Sequence, residues 1–132
     1  MTVKPAPVDP TALSRLRQQL HQLGQQYAQL LDRLVGVDEM ILGSCFEVYK
    51  TCSKPNCCCH HGQKHGPFLA LTFSIAGKVR HRMVRHADQQ MVKRGARIYK
   101  DFQTTRRQLR RVGRSIDELL DRLRSAQARE YV

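Results

Sequence analysis

Two stretches of apolar residues spaced alternately three and four apart are separated by a segment that holds every cysteine of the chain and two short strand-like runs. This pattern predicts a mainly α fold. Two long helices in a coiled-coil-like arrangement are expected to flank a small module built on a β-hairpin, the whole making a single domain. A chain of 132 residues has room for one such domain. Apolar residues make up 41% of it and Trp is absent, which suits helices packed along narrow seams better than a thick core.

Residues 1–8 contain two prolines and little else that orders a chain, so a flexible tail is expected there. Asp9-Pro10 has the form of a helix start, with Asp9 as N-cap and Pro10 in the first helical position. Leu13, Leu16, Leu20, Leu23, Tyr27, Leu30, Leu34, Val37 and Ile41 then trace a heptad seam, which predicts a coiled-coil helix over 9–43. Gly24 and Gly36 weaken it locally, and Gly43-Ser44 offers a stop.

Residues 45–66 are too rich in Cys, His, Gly, Pro and Lys to suggest a regular element. Phe68–Ile75 and Lys78–His86 have strand character, and the Ala76-Gly77 break between them predicts a β-hairpin. A two-stranded hairpin is marginal alone and needs packing or a metal to hold it. From 87 to about 130 the pattern is helical again, with Val92, Tyr99, Phe102, Leu109, Val112, Ile116, Leu119, Leu123 and Ala126 near one stripe. No run of about 18 apolar residues occurs, and the Met1-Thr-Val-Lys-Pro start lacks a secretory leader's apolar stretch; no membrane association and a cytoplasmic location are expected.

Cys45, Cys52, Cys57, Cys58 and Cys59 all fall within 15 residues. Disulfides that close long loops need cysteines spread along the chain and an oxidising compartment, so this cluster beside histidines points to a metal. Neither common ferredoxin spacing fits, and one structural zinc ion is expected. In an extended stretch Cys57 and Cys59 point one way and Cys58 the other, which favours Cys52, Cys57 and Cys59 as ligands. The fourth ligand is one of His60, His61 and His65. His60 has poor reach and His61 closes a very tight ring, whereas His65 has Gly62 and Gly66 to bring it round; His65 is preferred, with His61 next. Cys45, beside Phe46, reads as a buried small side chain. Four protein ligands leave no position for substrate, and Glu47 is the one carboxylate between Glu39 and Asp88. Neither an enzyme nor a small-molecule substrate is expected.

The formal net charge is +12. Residues 45–112 carry 15 basic and three acidic side chains, and the segments on either side balance. Lys78, Arg80 and Arg82 alternate on the second strand, with Arg85 following. Lys93, Arg94, Arg97, Lys100, Arg106, Arg107, Arg110, Arg111 and Arg114 form a basic band on the last helix, interrupted by Asp101 alone. An arginine-dominated band that is so one-signed calls for a polyanion, DNA or RNA, with these side chains on its phosphates.

The strings Cys52-Ser-Lys-Pro-Asn-Cys57-Cys-Cys59 and His65-Gly-Pro-Phe68 resemble a family of small uncharacterised bacterial and archaeal proteins. Its members carry a C-G-K-P-x-C-x-C … H-G-P-Y/F motif, a strand pair with a G-K turn, here Gly77-Lys78, and a charged C-terminal helix. The resemblance covers about residues 40–105. Ser53 stands where Gly is usual, which stiffens the turn, and Cys58 where a basic residue is common. It implies Cys52, Cys57, Cys59 and His65 as the ligand set. Because such genes often lie near transposases and mobile elements, it also implies a role around nucleic acid. The expectation is a non-enzymatic, zinc-containing nucleic-acid-binding accessory protein, as a homodimer or a subunit of a larger complex. The alternative is an adaptor whose coiled-coil helices and basic face dock on an acidic protein.

Overall fold

The structure is a computed structural model and describes residues 9–131, so the tail expected over 1–8 lies outside the described residues. The chain runs through helix α1 (Pro10–Val35), strands β1 (Ser44–Lys50), β2 (His65–Ile75) and β3 (Lys78–Met83), and helix α2 (Gln89–Gln127), with short 3-10 turns at Cys58–His60 and His86–Asp88. It divides into two compact units. One holds α1 with Gly36 and the part of α2 from Thr104 onward; the other is Val37–Gln103. Among the described residues no helix is long and apolar enough to cross a membrane.

In the first unit Asp9 caps α1, its side chain accepting from the Thr11 N–H at 3.2 Å, and Pro10 opens the helix as expected. All seven seam residues from Leu13 to Leu34 are buried or half-buried, while most positions between them are exposed. They meet α2 running the other way. Arg33 Nη2 reaches Thr105 Oγ1 at 3.5 Å, the Tyr27 ring lies beside Gly113, and Leu23 shares a groove with Ser115 and Leu119. The buried side chains of this pair are Leu30, Thr105, Val112 and Ala126.

The helix expected to reach residue 43 stops at Val35. Gly36 forms the cap, its N–H bonded to the carbonyls of Asp32 and Leu34. Val37 and Ile41 extend the heptad spacing for another reason: they are half-buried residues of the irregular segment that follows, in the second unit. Ile41 packs over α2 where Gly95 leaves space, its N–H bonded to the Gly95 carbonyl at 3.0 Å. A Cβ on Gly95 would come within 2.7 Å of the Ile41 side chain.

The expected hairpin is a three-stranded antiparallel sheet ordered β1-β2-β3. The segment that looked irregular begins with a strand, Ser44–Lys50, because Phe46, Val48 and Tyr49 supply β-forming side chains that the cysteine-rich composition hides. The hairpin itself is present. Ile75 pairs with Lys78 around Ala76 and Gly77, whose φ angles of 51° and 78° match a type I′ turn. The last strand ends at Met83 rather than His86, as the chain turns into α2.

Register assigns each side chain to a face of the sheet. Cys45, Leu69, Leu71, Phe73, Arg80 and Arg82 share one face. This face meets α2, where Cys45 Sγ lies 4.0 Å from the Val92 carbonyl. Cys45 is thus a half-buried packing residue, and burial raises its thiol pKa against the opposing effect of Lys93. The second unit buries only small and medium side chains fully: Cys59, Leu69, Ala70, Val92 and Ala96.

Candidate metal centre

The segment between β1 and β2 folds around its cysteines. Lys54 accepts from the Cys57 N–H at 3.2 Å, closing a turn over Pro55 and Asn56 that brings Cys57 back toward Cys52. Cys57 is extended, with φ −76° and ψ 143°, and the 3-10 turn begins at Cys58. The extended alternation expected for Cys57, Cys58 and Cys59 is therefore absent. The cysteines separate for a different reason: the turn sends Cys59 inward, where it is 2% exposed, and leaves Cys58 at the surface. His60 and His61 are exposed. His65 arrives as the first residue of β2 rather than from a loop, paired with Lys50 across a bulge. Gly66 next to it has φ 140°, and a Cβ there would meet the Val48 carbonyl at 2.8 Å, so the approach to β1 that places His65 requires glycine.

Cys52, Cys57, Cys59 and His65 each offer one donor atom, and all four donors lie within 4.8 Å of one another, close enough to hold a metal ion. Cys52 Sγ is 3.5 Å from Cys59 Sγ, and Cys57 Sγ is 3.3 Å from His65 Nε2. Backbone amides also point at the sulfurs. Cys52 N–H donates to Cys59 Sγ at 3.3 Å, and Cys59 N–H donates to Cys57 Sγ. These amide donors escape a reading of residue types, since every residue but proline carries one; only the turn aims them.

The thiols are not equivalent. The Cys59 N–H, followed by the thiols of Cys59 and Cys52 and the His65 ring, lowers Cys57 to about 6. The Cys52 N–H pulls Cys59 down, but burial and then the Cys52 and Cys57 thiols outweigh it and raise Cys59 to about 11. A donor cluster of this kind is primed to exchange protons for a cation, because binding requires thiolates and a neutral imidazole.

All thirteen basic residues singled out on β3, after it and on α2 are exposed. Arg85 pairs with Asp88, Nε to Oδ2 3.1 Å, and Arg107 Nη2 donates to Thr104 Oγ1 at 3.3 Å. Among the described residues none of the other twelve has a carboxylate within ion-pair distance. They fall into two sets. Lys78, Arg80, Arg82, Arg85, Lys93, Arg94, Arg97 and Lys100 belong to the Val37–Gln103 unit; Arg106, Arg107, Arg110, Arg111 and Arg114 belong to the helical one.

No curated protein and no solved structure matches the chain. One family model does, described as a domain of unknown function (DUF6788), over residues 13–94. The match spans most of α1, the three strands, the whole Cys/His cluster and the first residues of α2. It carries neither an activity nor a mobile-element setting. It covers more than half of the chain, and the protein therefore belongs to the DUF6788 family.

Proposed function

We propose that this protein is a non-enzymatic nucleic-acid-binding accessory protein in which one structural zinc ion secures the Val37–Gln103 unit. Three sulfurs and one nitrogen are a donor set typical of structural zinc. With Zn–S bonds of about 2.3 Å, the edges of a regular tetrahedron are about 3.8 Å. The Cys52–Cys59 and Cys57–His65 separations of 3.5 and 3.3 Å lie near that length, and all four donors lie within 4.8 Å of one another. Four protein donors fill the coordination sphere, which supports a structural rather than a catalytic ion.

The observation that carries the nucleic-acid reading is the exposure of all thirteen predicted basic side chains, twelve of them without a carboxylate partner among the described residues. A face built for solubility mixes signs so that neighbours neutralise one another; unpaired arginines and lysines are instead available to phosphates. Action as a homodimer through coiled-coil contacts, or as one subunit of a mobile-element or other nucleoprotein complex, belongs to the same proposal.

Titration of the metal-loaded protein with duplex DNA, single-stranded DNA and structured RNA at two salt concentrations tests it. Binding at low salt that weakens steeply as salt rises is the expected result. Absence of binding to all three at low salt overturns the reading. Capture instead of an acidic protein at fixed stoichiometry, free of nucleic acid, would establish the adaptor reading in its place.

A further inference from the structure

β3 forms one margin of the sheet, and all of its residues are exposed. Its pairing with β2 fixes where its backbone points. The two-residue turn makes Ile75 and Lys78 a hydrogen-bonded pair, and such pairs recur at every second residue, Phe73 with Arg80 and Leu71 with Arg82. The Val84 N–H, which donates to the Leu69 carbonyl at 2.9 Å, continues the same phase. The N–H and C=O groups of Lys78, Arg80 and Arg82 are therefore turned toward β2. Those of Val79, His81 and Met83 point outward from the sheet and have no partner among the described residues.

The side chains alternate between the two faces. By register Lys78, Arg80 and Arg82 stand on the α2 side of the sheet, yet all three are exposed, and among the described residues none has a carboxylate within ion-pair distance. Val79, His81 and Met83 stand on the opposite face with Phe46 and Phe68, and Val79 is 65% and Met83 45% exposed. The other margin, β1, is blunted by the irregularity between Val48 and Lys50. β3 pairs without a bulge and contains no proline, so what guards it against unwanted pairing is charge. That guard is selective. A second copy paired antiparallel through β3 would set basic side chains against basic ones, whereas an acidic strand meets them with opposite charge.

We propose that the β3 edge docks an extended strand of a partner protein in which acidic residues alternate with apolar ones, adding a fourth strand to the sheet. The partner's acidic side chains stand beside Lys78, Arg80 and Arg82, and its apolar side chains beside Val79, His81 and Met83. Backbone chemistry selects a polypeptide for this edge. The outward carbonyls of Val79, His81 and Met83 need donors, which a peptide strand supplies at every second residue and phosphates do not. The inference is separate from the nucleic-acid reading. It draws on three of the thirteen basic side chains and leaves Arg85 and those of α2 to that reading.

The test mixes full-length, metal-loaded protein with a capped synthetic peptide that alternates glutamate and valine over the length of β3. The controls are a scrambled peptide of the same composition and an alternating lysine–valine peptide. Amide hydrogen exchange should slow about tenfold or more at Val79, His81 and Met83, and change little at Lys78, Arg80 and Arg82, which are already paired. The Arg80→Glu/Arg82→Glu variant should lose affinity for the glutamate peptide by about tenfold and gain it for the lysine peptide. Metal content and thermal melting of the variant establish that it folds, and the exchange pattern of the wild type is a readout independent of it. Equal binding of the scrambled peptide, protection without the alternating pattern, or no binding of the glutamate peptide would each overturn the proposal. So would protection of the same amides by an oligonucleotide alone, or by a second copy of the chain as protein concentration rises.

Discussion

The helical unit and the Val37–Gln103 unit keep their shape by different means. In the first, a seam of seven residues from Leu13 to Leu34 meets its match on α2, and shape follows from repeated small burials. In the second, the long connection from Thr51 to Lys64 contributes one buried residue, Cys59. With so little burial inside that connection, the proposed metal crosslink would be what orders it. On the function proposed above, the chain combines a unit held by distributed apolar contact with one held by a few donor atoms, and the two should fail under different insults.

The sharpest way to separate them is to remove the metal. Chelation, or Cys59→Ser, should disorder the connection and loosen the sheet, while far-UV circular dichroism retains most of the helical signal of the first unit. Cys58→Ala should bind metal as the wild type does, by elemental analysis, because Cys58 lies at the surface outside the donor cluster. Acidification should act on the same unit in the same direction. Cys57 is lowered to about 6 from 9.0, so the stabilisation from its thiolate is complete above about 9 and is lost as pH falls through about 6. Dialysis at pH 5 should therefore strip metal that is retained at pH 7.5.

The complementary break is Leu30→Ala. It should lower stability by about 2–3 kcal/mol in denaturant melts, since Leu30 is 7% exposed, with metal content unchanged. The smallest effect is expected at the hairpin. Ala76 holds φ 51°, a strained position for alanine, and Ala76→Asn gives the Asn-Gly pair that type I′ turns prefer. A gain of about 0.5–1 kcal/mol, read from the melting of the sheet unit, is the expected outcome.

The helical unit was the more legible of the two. Its cap, its seam and its part of the stripe on α2 are periodic local features, and every predicted stripe residue that it holds, from Leu109 to Ala126, is buried or half-buried. The misreadings lie where composition and fold disagree. Val37 and Ile41 continued the heptad but belong to a segment docked beside Gly95, a contact 54 residues away in the chain for Ile41. Phe46, Val48 and Tyr49 form a strand that residue types around them concealed. The four side chains that come together were named from the sequence, though Cys57 and Cys59 by an extended geometry that the 3-10 turn replaces.

By itself the sequence determined the two helical stretches, the hairpin turn, the clustering of donors and the confinement of excess charge to residues 45–112, because these depend on residue type and on spacing along one element. Only the tertiary structure decided where α1 ends, that β1 completes the sheet, which amides aim at the sulfurs, and that Phe46, Phe68 and His81 share an open face. Those are matters of pairing between distant segments, and strand register, which assigns each side chain to a face, is settled only when the strands meet.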